Sequence, residues 1–255
     1  MKHHDPEHLR QLLETKVCPK GELFGVDLSK ADLSKAVLYS SDLREANLSK
    51  ANLAKADLQE ANLVGADLHG ADLNGANLHQ ANLAQADLSG ALLFFADLHE
   101  ANLPEANLKN ADLTEVDLLQ ADLEGADLSG AKLSESKLRG AKLIRASLYE
   151  ADLSKVNLSE VDFSEADLTN ANLKEADLSK AVLARAKLSG ANLHRVNIHG
   201  ADLSEADLKN TNLFGIDLRE AITENTQFEN AILCNTILPD GTVEYRDCED
   251  DAEVG

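Results

Sequence analysis

The side chains with the greatest capacity for chemistry are carboxylates: 45 Asp and Glu against 24 Lys and Arg, for a formal net charge of -21 over 255 residues. Nineteen of the Asp residues, from Asp27 to Asp217, fall at one position of a five-residue spacing. A carboxylate serves as general acid or base when its surroundings set its pKa apart from its neighbours'. Evenly spaced copies share one environment, so this row reads as a solvating surface, and no catalytic constellation emerges from it. His79 and His99 lie 20 residues apart, and a regular fold could stack them, but two His without a third ligand do not make a zinc site. We therefore expect no metal, no cofactor and no enzyme activity. Cys234 and Cys248 are close enough in sequence for a disulfide that clips the chain's end, whereas a reducing compartment would leave both as thiols; Cys18 has no evident partner.

Two clusters break the acidic pattern. Lys132, Lys137 and Lys142 replace Asp or Asn at three successive steps of five, with Arg139 and Arg145 beside them. This belt reads either as charge balancing on an acidic molecule or as a docking site for an acidic partner. Leu92, Phe94 and Phe95 put three apolar side chains where polar ones otherwise stand. Clustered outward aromatics mark contact surfaces, here for a protein partner or for self-association. Elsewhere the shortage of cations disfavours direct nucleic-acid binding. No apolar run approaches the 18 or so residues of a membrane span, and Met1 to Arg10 has no apolar signal core, so a soluble cytoplasmic protein is expected.

The elements that position these residues follow from the period itself. From Gly21 to Asp240 the chain runs in 44 five-residue units without insertion or deletion. With positions numbered as in Ala31-Asp32-Leu33-Ser34-Lys35, position three is Leu in 40 units, position one is Ala in 32, and position two is Asp in 19 and Asn in 12. A helix would rotate successive leucines by about 140° and leave no apolar stripe. A plain strand would send them alternately to opposite faces. A short extended step with positions one and three inward, followed by a corner at four and five, satisfies every unit. Eleven of the 14 Gly occupy position five, six units have Asn there, and Pro104 and Pro239 stand at position four. That is the chemistry of a type II turn, with type I geometry expected where position five is Glu or Lys.

The A(D/N)LXX tandem, as in Ala46-Asn47-Leu48, Ala61-Asn62-Leu63 and Ala166-Asp167-Leu168, resembles the pentapeptide repeat family over 220 of 255 residues. The flanks, Leu12 to Cys18 and Cys234 to Thr242, are similar to cyanobacterial members. The resemblance implies an all-β fold, a right-handed quadrilateral β-helix of four units per coil and about 11 coils. Neither the four corners nor the handedness follows from periodicity. Caps are expected at both ends: residues 1–20 with a short helix, N-capped by Asp5 before Pro6, presenting Leu9, Leu12 and Leu13 on one face and closed by Pro19 and Gly21; and residues 241–255, where Val243 to Tyr245 would cover the outward Ile222, Ile232 and Ile237 ahead of a frayed acidic tail, Glu249 to Gly255.

Function follows less directly. An interaction scaffold, with the belt and the Leu92 cluster as contact points, is the favoured reading. The alternative implied by the resemblance is a DNA mimic that binds or protects DNA gyrase or another type II topoisomerase. Leu rather than Phe at the unit centres, the absence of insertions and the basic belt depart from that subgroup.

Overall fold

In the computed structural model, which describes residues 4–248, the extended steps are stitched by parallel bridges between position-two residues exactly twenty apart, from Val17↔Val37 to Asp217↔Ile237. Four units therefore complete one coil. Position-three Leu and position-one Ala point into a continuous dry interior; Leu38, Leu58 and Leu78, stacked in successive coils, are all 0% exposed. After Gly21, the exceptions at position one are Val, Ile or polar residues whose hydroxyls are satisfied: those of Ser41, Thr211 and Thr236 donate to the carbonyls of Cys18, Leu208 and Leu213. No helix among the described residues is long and apolar enough to cross a membrane.

Most units use their five N–H groups in the same way, illustrated around Asp27. Positions two, three and five bond to neighbouring coils, as Asn47 N–H to Val26 O, Leu28 N–H to Asn47 O, and Lys30 N–H to Ser49 O; position one closes the turn, as Ala31 N–H to Leu28 O. The fourth, Ser29 N–H, is taken by the Asp27 carboxylate at 3.0 Å. The same side-chain turn recurs along the rod, for example at Asp67, Asn77 and Asp167. Asp and Asn at position two are thus structural acceptors as well as solvating groups, because a short side chain carrying a δ oxygen reaches the N–H two residues on.

The corners are uniform, against the expectation of mixed types. Every position-five residue from Lys20 to Gly215 has positive φ, Glu and Lys included, as at Lys50 (58°) and Glu160 (62°). Position five's N–H must reach the next coil while position one's closes the turn, and the left-handed conformation does both; the hydrogen-bond frame overrides the local cost of about 1 kcal/mol.

Helix α1 (Pro6–Thr15) seals the first coil. Asp5 caps it, accepting Glu7 N–H at 2.8 Å. The helix also supplies the partners a preceding coil would have provided: Asp5 N–H donates to Glu22 O, His8 Nδ1 accepts Glu22 N–H, and the Gln11 side chain donates to Val17 O. A sheet edge is thereby closed. Leu12 is buried and Leu9 packs on the core, but Leu13 is 58% exposed, so the expected three-leucine face is a two-leucine one. Lys16, in the left-handed conformation, ends the helix instead of Pro19 and Gly21. Those two belong to the first corner, because Lys16 to Lys20 already follows the repeat hydrogen-bond pattern with Cys18 in the leucine slot. Gly21 is required there: a Cβ would lie 2.6 Å from the Cys18 sulfur.

At the other end, β1 (Thr236–Ile237) pairs antiparallel with β2 (Val243–Glu244), placing Val243 opposite Ile237. The cover stops there. Ile222 and Ile232 remain exposed, as does Tyr245. The acidic tail from Glu249 lies outside the described residues.

One interruption breaks the series of bridges. Asn197 and Asp217 do not pair, and the N–H groups of Ile198, Gly200 and Asp217 have no partner among the described residues. An opening of about 340 Å3 lies between the two strands, lined by Val196 to His199, Asp217 and Arg219 among others. At this step Val196 and Ile216 crowd a position that is Ala in most units, and Ile198 replaces Leu at position three; the following step, Ile216 to Thr236, keeps its bridge, so the crowding belongs to the Val196 and Ile216 pair and not to β-branching as such.

Candidate interaction surface

Leu92, Phe94 and Phe95 share one corner and are all exposed, at 46%, 39% and 56%. Their unit keeps the rod's geometry: Leu92 bridges Asp72 and Asp112, and Phe95 takes the left-handed corner at φ 57°. Leu92 has no side-chain oxygen to accept the Phe94 N–H. The acceptor comes from the previous coil, where Asn74 Oδ1 receives it at 3.0 Å. The two rings pack against each other with centroids 4.1 Å apart and planes tilted by 60°. Beside them is a shallow depression of about 410 Å3 lined by Asn74, Leu92, Phe94, Asp112 and Thr114. The sequence pointed to the three apolar residues but not to Asn74 or Thr114, which are legible only once the twenty-residue coil sets them at the same corner position as Phe94.

The basic belt is held in ion pairs. Lys132, Lys137 and Lys142 reach back one coil to Asp112, Asp117 and Asp122 at 3.5, 3.1 and 4.0 Å. Arg139 pairs with Glu160 at 3.0 Å, and Arg145 with Glu124. All five cations remain well exposed, so each pair contributes little to stability. Thr114 and Lys132 together keep the Asp112 carboxyl below its ordinary value, against the burial that would raise it. The belt offers an acidic partner no unpaired cation, and the arrangement favours charge balancing.

His79 and His99 stack with centroids 5.3 Å apart, nearly parallel. Among the described residues no group of three or more His, Cys, Asp or Glu could hold a metal ion. Cys234 and Cys248 form a disulfide that ties the segment after β2 to the last coil, and Cys18 is a buried thiol whose pKa burial pushes up. A second cleft, of about 600 Å3, lies beneath that tie between Phe214, Ile232 and Tyr245, with His194 stacked on Phe214 at 4.7 Å.

The sequence profile described as pentapeptide repeats matches in eight copies, over residues 22–59, 51–90, 91–130, 131–170 and 171–210. The chain belongs to the pentapeptide repeat family. Pentapeptide repeat proteins are right-handed β-helices, in general structural or interaction proteins rather than enzymes. Among solved structures, this pentapeptide repeat protein is similar to HetL of the cyanobacterium Nostoc sp. strain PCC 7120, a pentapeptide repeat protein involved in heterocyst differentiation regulation: 29% identity, covering 95% of this chain and 100% of HetL, with a TM-score of 0.52. Full-length QnrB1, a plasmid-mediated fluoroquinolone resistance protein, is 18% identical over 81% of this chain and 90% of its own, with a TM-score of 0.36. Alr5209, also from Nostoc PCC 7120, is 29% identical over 50% of this chain and 84% of its own, with a TM-score of 0.23. No curated protein matches.

Proposed function

We propose that this pentapeptide repeat protein is a non-enzymatic scaffold that mediates protein–protein interaction, a right-handed rod of about eleven coils whose contact point is the Leu92, Phe94 and Phe95 corner. One observation carries the reading. Three exposed apolar side chains interrupt an otherwise polar surface, and the fold accommodates them through a replacement acceptor, Asn74. The likeness to HetL, a pentapeptide repeat protein involved in heterocyst differentiation regulation, is compatible with a regulatory role for such a scaffold. The test is affinity capture from native lysate with the wild-type chain and with Leu92→Asn/Phe94→Ser/Phe95→Gly, which restores the repeat consensus. A protein retained by the first and lost by the second is expected; identical captures would overturn the assignment to this corner.

A second reading, the topoisomerase-directed DNA mimic, draws on the charge of -21. Lys132, Lys137 and Lys142 interrupt its acidic rows. A gyrase supercoiling assay decides: neither inhibition nor quinolone protection at micromolar protein eliminates it.

A further inference from the structure

The scaffold reading leaves the chemistry of the partner open, and the surroundings of the Leu92 corner narrow it. Leu92 is bracketed in its own row by two carboxylates, since it bridges Asp72 on one side and Asp112 on the other, each about one strand spacing (~4.8 Å) away. Glu115 takes the same corner position as Phe95 one coil further on. Neither Asp72 nor Glu115 has a cationic partner among the described residues, and Asp112 shares only an exposed Lys132 at 3.5 Å. In the position-two and position-five rows of this face the nearest cations, Lys55 and Lys132, start two coils away, and the Lys132 ammonium lies back against Asp112. The apolar spot is therefore flanked by two carboxylates, Asp72 and Glu115, that stand outside any ion pair among the described residues.

Resting on that reading, we propose that the corner receives a short segment of another protein in which an apolar anchor side chain is flanked by Lys or Arg. The anchor enters the depression between Leu92, Phe94 and Thr114; the flanking cations meet Asp72 and Glu115. A small desolvated anchor flanked by complementary charge is how compact protein contacts gain both affinity and selectivity. A second copy of this chain fits worse. Three side chains fall short of the roughly 800 Å2 per partner that a stable dimer buries.

The test uses fluorescein-labelled hexapeptides KKLFKK, EELFEE and KKSGKK, followed by anisotropy against the full chain at low and physiological salt. KKLFKK should bind about tenfold or more tightly than either control. Leu92→Asn/Phe94→Ser/Phe95→Gly, which leaves the charge unchanged, should reduce it to the level of KKSGKK. Asp72→Asn/Glu115→Gln should weaken it about three- to tenfold and flatten its salt dependence. Circular dichroism and thermal unfolding confirm that both variants keep the fold. Undetectable binding of KKLFKK overturns the proposal, as does equal binding by the Leu92 variant, which indicates bulk attraction to an acidic rod. Equal binding of EELFEE removes the cationic requirement while the scaffold reading stands on its own captured partner; a capture that ignores the corner has the opposite meaning.

Discussion

Asn74 Oδ1 accepts the backbone N–H of Phe94 from one coil away, 3.0 Å distant, standing in for the acceptor that Leu92 lacks. The two positions are therefore energetically coupled. Asn74→Ala should lower stability by about 0.5 to 1 kcal/mol, at the modest end because the bond is exposed. In a Leu92→Asn background the acceptor is again within the unit, and the same substitution should cost almost nothing. A double-mutant cycle by urea unfolding reads the difference, and strict additivity would refute the coupling.

The interior was legible because one requirement repeats at every unit: Leu and Ala at positions three and one face the same dry core wherever they occur, as Leu38 and Leu78 do. The coil length was not, since nothing within a single unit records which unit lies above it; four per coil came from family resemblance and is now visible in the bridges. Position two was read for its charge alone. Its acceptor role depends on the orientation of an N–H two residues on, which is a backbone property. The same gap hid Asn74. The Leu92 cluster was visible because it violates the pattern, while the Lys132 belt stood open between charge balancing and docking until the coil placed Asp112, Asp117 and Asp122 beneath it.

Uniform left-handed corners make a second prediction. Gly75 has φ +65°, and a Cβ there would make only an ordinary 3.5 Å contact with Lys55, so conformation rather than space decides the outcome. Gly75→Asn should cost a few tenths of a kcal/mol, because Asn tolerates this region, whereas the β-branched Gly75→Val should cost roughly 1 to 2 kcal/mol. Equal unfolding midpoints for the two variants would show that the corner is not conformationally selective.

The opening between Asn197 and Asp217 should behave as the rod's weak joint. Amide exchange at Ile198 and Gly200 is expected to be about 100-fold or more faster than at Leu178 and Lys180, their equivalents one coil earlier, which donate to Asn197 O at 2.7 Å and His199 O at 2.9 Å. Val196→Ala/Ile216→Ala removes the stacked β-branched pair and should restore slow exchange. If exchange stays fast in that variant, the crowding explanation fails.

Acid should loosen the N-terminal helix. The Asp32 carboxyl is held down to about 2 from an ordinary 3.8, chiefly by the hydrogen bond from the Lys16 ammonium at 2.8 Å, with the hydroxyl and N–H of Ser34 adding to it. Lys16 is the residue that ends α1, so this pair fastens the helix to the first coils. A carboxyl depressed in the folded state favours folding only while ionised. Its contribution is whole above about pH 4, drains as the pH falls from 3.8 towards 2, and is absent below both values. Asp27 and Asp217 are lowered too, by the Ser29 backbone N–H and the Arg219 side chain respectively, and so lose stability in the same direction. Comparing wild type with Asp32→Asn by urea unfolding, with exchange at Leu12 as the local readout, should show a gap at pH 5 that closes by pH 2. A gap that persists unchanged across that range would mean that Lys16 does not fasten the helix through Asp32.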